Sequence, residues 1–99
     1  MLQGLTSEQV AFISTTMKRF LPTAKILAFG SRVQGSARQY SDLDLALELE
    51  GKKPVPLHVL SQIQEVFQQS NLPIRIDIID MATISDDFRA IILKKHLTL

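Results

Sequence analysis

The run Asp42-Leu43-Asp44 lies in a stretch, Ser41 to Glu50, where Leu43, Leu45, Leu47 and Leu49 alternate with Asp42, Asp44, Ala46, Glu48 and Glu50. A period of two predicts a half-buried strand. Residues two apart on a strand point to the same side, about 7 Å apart along the chain. Two carboxylates so placed repel each other, and stability alone does not favour them. A divalent cation removes the repulsion, and magnesium takes carboxylate, water and phosphate oxygens with one or two protein carboxylates. Solvated surface carboxylates are common, so the pair carries little weight by itself. Asp77 adds to it, because it interrupts an isoleucine-rich run where an apolar residue would sit more comfortably. Its strand is expected to be central and Asp77 at least partly enclosed, and a buried carboxylate is costly unless paired or metal-bound. The plain structural alternative is an ion pair with Arg75, Arg32 or Arg38. If the two strands are neighbours, Asp42, Asp44 and Asp77 can hold two magnesium ions about 3.5–4 Å apart, an arrangement that serves in-line displacement at phosphorus.

The second candidate is Gly30-Ser31-Arg32-Val33-Gln34-Gly35. It leaves an apolar run, Ala24 to Phe29, and opens a short helix around Ser31 to Gln34. Backbone amides at such a turn bind phosphate oxygens, and glycine lets the backbone approach the ligand. Ser31 adds a hydroxyl donor, and Arg32 or Arg38 can offset phosphate charge. No Gly-Lys-Ser/Thr sequence is present and the glycine spacing fits no dinucleotide fingerprint. Alone, a Gly/Ser turn between strand and helix would explain these residues. The combination says more: Asp42 follows Gly30 by 12 residues and Asp77 follows Asp44 by 33. A nucleoside triphosphate with metal accounts for all three parts at once.

Helices and strands must position these groups. Thr6 and Gln9 form a capping-box pattern, with Leu5 and Val10 placed as a hydrophobic staple. Val10, Ile13, Met17, Phe20 and Leu21 follow at helical spacing until Pro22. The runs Ala24–Phe29, Ser41–Glu50 and Ile74–Ile79 predict three strands. Leu57, Leu60, Ile63, Val66 and Phe67 predict a helix reaching Asn71. Ser85 is placed to cap a last helix carrying Phe88, Ile91, Ile92 and Leu97. The order α-β-(short α)-β-α-β-α predicts an α/β (α+β) fold, a small mixed β-sheet with helices packed on one face and the other partly open.

Composition bounds the rest. The 99 residues, 45% hydrophobic and 21% charged, fit one soluble domain spanning 1–99. Eleven basic and ten acidic residues, spread evenly over both halves, lack the basic footprint of a nucleic-acid binder. The absence of cysteine excludes disulfides and thiol nucleophiles. No basic leader or long apolar run is present, so the expected location is cytoplasmic, away from membranes. His58 in a helix and His96 near the tail are expected to be surface or capping residues.

The motifs Gly30-Ser31…Asp42-Leu43-Asp44…Asp77 resemble those of the polymerase beta-like nucleotidyltransferase superfamily, most closely its minimal nucleotidyltransferase (MNT) branch. The resemblance extends over about residues 24–80. It implies that Gly30 and Ser31 hold the triphosphate, with Arg32 and Gly35 in the same nucleotide-binding turn. It implies that Asp42 and Asp44 bind two Mg2+ ions and that Asp77 completes the catalytic and metal site. The implied reaction is AMP transfer from ATP to an acceptor hydroxyl. Single-domain MNT proteins resemble antitoxins paired with a HEPN ribonuclease toxin, so the expected acceptor and complex partner is such a toxin. Two other readings use the same residues: a non-catalytic antitoxin acting by complex formation, and a small-molecule, aminoglycoside-like nucleotidyltransferase.

Overall fold

The computed structural model describes residues 2–99. The capping box forms as expected: Thr6 Oγ1 accepts from Gln9 N at 3.1 Å and Gln9 Oε1 accepts from Thr6 N at 2.9 Å. It opens α1 (Ser7–Phe20), which leads into β1 (Lys25–Phe29) and the short α2 (Ser31–Gln34). Then come β2 (Leu43–Glu48), a 3-10 turn (Glu50–Lys52), α3 (Leu57–Gln68), β3 (Ile76–Asp80) and α4 (Asp86–Lys94). Ser85 caps α4, its Oγ accepting from Phe88 N at 3.1 Å.

Leu97–Thr98 is a fourth strand, β4. The helical run carrying Phe88 and Ile92 therefore stops at Lys94, and Leu97 pairs with Ala28 of β1 instead of extending the helix. His96 Nδ1 lies 3.2 Å from the Ile92 carbonyl and 3.1 Å from that of Leu93, at the helix end, where imidazole interacts well with the last carbonyls.

The sheet order is β3-β2-β1-β4, with β2 and β3 parallel and the other neighbours antiparallel. On one face Ile26, Ala28, Leu43, Leu45, Leu47 and Ile76 pack with Ile13 and Met17 of α1 and Ile63 and Phe67 of α3. Each such side chain contributes about 1.5–3 kcal/mol by leaving water. The expectation of helices on one face holds for α1 and α3. It fails for α4, whose Ile92 packs with Leu27, Ala46 and Met81 in a smaller core on the opposite face. That face is covered only in part, and its uncovered end carries the acidic residues. No helix is long and apolar enough to cross a membrane among the described residues.

Candidate active site

The strand register brings the predicted carboxylates together. Asp44 of β2 stands beside Asp77 of β3, and its other neighbour is Phe29 of β1. Asp77, Asp44 and Phe29 thus form a row across three strands, on the face opposite Leu43 and Leu45. Asp42, just before β2, is bridged at 3.8 Å to Arg75, a surface pair with both side chains substantially exposed. Such a pair adds little stability.

Two expectations for Asp77 change. β3 is an edge strand, not a central one, and Asp77 is exposed. Arg75 bridges Asp42 rather than Asp77. The isoleucines of β3 are explained by helices on both faces, with Ile76 under α3 and Ile79 beside the α4 core.

Asp44 is half-buried, and its pKa is raised above the ordinary carboxylate value. Burial is the main cause, followed by the charges of Asp77 and then Asp42. Two carboxylates side by side, with Asp42 near enough to act on Asp44 by its charge and Asp44 destabilised as an anion, have the chemistry of a hard divalent cation site. No group of three His, Cys, Asp or Glu side chains placed to hold a metal ion is found among the described residues. Magnesium habitually takes one or two protein carboxylates and completes its shell with water and substrate phosphate, which the neighbouring Asp44 and Asp77 fit.

A raised carboxylate pKa means the folded state holds its proton more tightly than the unfolded chain. The fold therefore loses stability as pH rises from the ordinary carboxylate range through the raised value, and stays lower above it. Asp44→Asn removes that penalty. In chelator at neutral pH the variant should melt a few degrees above wild type, reflecting about 0.5–1 kcal/mol of relieved charge burial and like-charge opposition. Thermal melts against pH should show the gain shrinking as pH falls towards the carboxylate range.

Gly30 links the turn to the acidic row. Its φ of 80° and ψ of −155° lie in a region that only glycine adopts readily. A Cβ there would collide with Asp44 Oδ2, with Asp44 Cγ at 3.3 Å. The bare backbone at Gly30 therefore lies directly against the Asp44 carboxylate. The Gly30 carbonyl accepts from Val33 N at 3.1 Å and Gln34 N at 3.0 Å, starting α2. The amides of Ser31 and Arg32, ahead of Val33, have no partner within the helix. Gly30→Ala should cost about 1–3 kcal/mol in strain, lowering the melting temperature by roughly 5–15 °C. It should also weaken ATP binding, measured by titration, because the added methyl displaces Asp44.

Arg32 has a different task from the one expected. It is 2% exposed, and its guanidinium donates to backbone carbonyls. Nε and Nη2 donate to Ser41 O at 3.0 and 2.9 Å, Nη1 to Gln3 O at 2.7 Å, and Nη2 also to Gln39 O at 3.1 Å. Arg32 thus ties α2 to the segment that delivers Asp42 and to the start of the chain. Gly35, exposed, ends α2 in the left-handed conformation with φ 82°. Ser31 is half-buried at the head of α2, and Arg38 and His58 are exposed.

Two features escaped the sequence reading. Asp80 on β3 is buried, accepting from Val55 N at 2.7 Å and Ala82 N at 3.0 Å, and so anchors the segment before α3. Phe29 meets Phe88 of α4 edge-on, ring centroids 5.9 Å apart, walling the acidic row on the β1 side. The apolar Phe29 directly before Gly30 was the available signal for that wall.

Residues 12–99 match the family described as Polymerase beta, Nucleotidyltransferase. The chain belongs to this nucleotidyltransferase family. It is 41% identical over 95 residues to the Probable protein adenylyltransferase MntA of Haemophilus influenzae, covering 96% of this chain and 82% of that protein. Its fold is similar to that of a toxin-antitoxin crystallised with AMP-PNP, with a TM-score of 0.73 at 20% identity, covering 87% of this chain and 68% of that one. It is also similar to a structure described as a minimal nucleotidyltransferase, with a TM-score of 0.69 at 23% identity and coverage of 90% and 87%. The nucleotidyltransferase fold expected from the motifs is therefore the fold the chain adopts.

Proposed function

We propose that this nucleotidyltransferase moves AMP from ATP to a hydroxyl of a partner protein in the cytoplasm, the partner being a HEPN ribonuclease toxin that the modification silences. The reading rests most on one observation: the glycine-only backbone at Gly30 lies against the carboxylate of Asp44, which stands in register with Asp77. The 41% identity to a protein named as an adenylyltransferase supports the choice of chemistry and acceptor class.

In this reading the turn at Gly30 and Ser31 takes the distal phosphates, with backbone amides and the Ser31 hydroxyl donating to their oxygens. Asp42, Asp44 and Asp77 would hold magnesium, two ions if all three carboxylates share them. When bound, magnesium polarises the α-phosphate and offsets charge on the leaving group. The acceptor oxygen forms a bond to the α-phosphorus as the bond from that phosphorus to pyrophosphate breaks. The hydroxyl proton passes to Asp77, whose exposure lets it hand the proton on to solvent. Phe29 and Phe88 exclude water from the β1 side.

Mass spectrometry of the proposed HEPN acceptor, after incubation with ATP and magnesium, tests the proposal. An AMP adduct on a hydroxyl side chain is expected. An unmodified partner whose ribonuclease is nonetheless inhibited by the chain would replace the proposal with inhibition by complex formation.

A further inference from the structure

The edge position of Asp77 has a chemical consequence for the acceptor. Leu43 N donates to Arg75 O at 2.9 Å and Met81 N to Leu47 O at 2.9 Å, at the two ends of the β2–β3 ladder. In a parallel ladder these two bonds set the phase. Asp77 and Ile79 direct their N–H and C=O groups to β2, while Ile76, Ile78 and Asp80 direct theirs away from the sheet. Two of the outward carbonyls are taken: Ile76 O accepts from Gln64 Nε2 at 2.9 Å, and Asp80 O accepts from Thr83 N and Oγ1, both at 3.1 Å. The N–H and C=O of Ile78 have no partner among the described residues. An unpaired strand edge is a template for another strand.

The reaction geometry selects the same side. The Gly30–Ser31 turn follows β1, so a leaving pyrophosphate held there departs towards β1. In-line attack then comes from the opposite side, across β3. The aromatic pair Phe29–Phe88 stands on the β1 side as well.

We propose that the acceptor protein binds as an extended segment added to the free edge of β3, with its hydroxyl residue opposite Asp77. This rests on the adenylylation reading and adds where and in what conformation the acceptor enters. Ile78 exchanges both backbone hydrogen bonds with the incoming segment. Asp77, whose backbone faces β2, then occupies a non-hydrogen-bonded position, where cross-strand side chains come closest in an antiparallel pair. The row Phe29–Asp44–Asp77 extends by one residue, and that residue's hydroxyl projects over the carboxylate face. Its oxygen bonds to the α-phosphorus, pyrophosphate leaves towards Gly30, and its proton goes to Asp77. Past Ile76 the segment meets a cavity of about 290 Å³ between α3 and the turn before β3, lined by Gln64, Phe67, Leu72 and Pro73.

Ile78→Pro tests this, since proline removes the outward N–H while leaving the β2 ladder intact. With the proposed HEPN protein as acceptor, the acceptor KM should rise about tenfold, with the ATP KM unmoved. An unchanged acceptor KM would overturn the proposal. Should the variant fail to fold, hydrogen exchange of wild type decides the matter. Adding the HEPN protein should protect the Ile78 amide at least tenfold, and transfer without such protection overturns the proposal. Protection of Ile78 in the chain alone at high concentration, with doubled mass, would assign the edge to a second copy and also overturn it. If wild type transfers no AMP at all, the adenylylation reading fails first and the acceptor edge with it.

Discussion

Replacing Asp42 and Asp44 together by asparagine should reduce AMP transfer by about a thousandfold or more, since magnesium's stabilisation of charge at phosphorus amounts to several kcal/mol. The two amides keep the size of the side chains and lose their anionic oxygens. The fold should survive, because the row is a strained feature of the sheet: Asp44 is half-buried with its pKa raised by burial, Asp77 and Asp42. Circular dichroism and thermal melting should show a folded variant at least as stable as wild type in chelator. The loss therefore falls on chemistry alone. Rates measured by partner labelling under saturating ATP provide the check. A double variant that keeps more than a tenth of wild-type activity would mean that these carboxylates do not hold the reacting group.

Arg32→Met should have the largest effect on stability, a loss of about 3–5 kcal/mol. The guanidinium of Arg32 donates to the carbonyls of Gln3, Arg38, Gln39 and Ser41. Methionine fills much of the volume and leaves these carbonyls without a donor. Against a total of about 5–15 kcal/mol for a domain, the variant should be partly unfolded at 37 °C by denaturant titration. Arg32→Lys should recover only part of the loss, because one ammonium cannot reproduce the planar fork that reaches both Gln3 O and Ser41 O. A direct phosphate contact predicts the opposite pattern: weaker ATP binding with unchanged stability.

Arg32 also shows what the sequence could and could not reveal. Its place after Gly30-Ser31 suggested a phosphate partner, yet burial and carbonyl contacts depend on how residues 3 and 39–41 fold around α2, and no local pattern carries that. The caps at Thr6 and Ser85 were legible because their donors and acceptors lie within three residues. The Asp42–Asp44 spacing and the Gly30 turn were legible for the same reason. The pairing of Asp44 with Asp77 required only that β2 and β3 be neighbours. The edge position of β3 was not legible, since an isoleucine-rich strand reads as central whether its cover comes from flanking strands or from helices on both faces. β4 was missed because a two-residue strand has no period, and Leu97 continues the spacing of the α4 apolar residues. The partial cover of the second face by α4 was likewise a matter of tertiary packing.

The most direct measurement supplies the chain, magnesium and the proposed HEPN acceptor with ATP labelled either at the α-phosphate or at the γ-phosphate. Label from the α position should appear on the HEPN protein and label from the γ position should leave as pyrophosphate, with both signals lost in the Asp42→Asn/Asp44→Asn variant. Transfer of the γ label, or α-labelling that persists in the variant, would contradict nucleotidyl transfer by the Gly30–Asp44–Asp77 site.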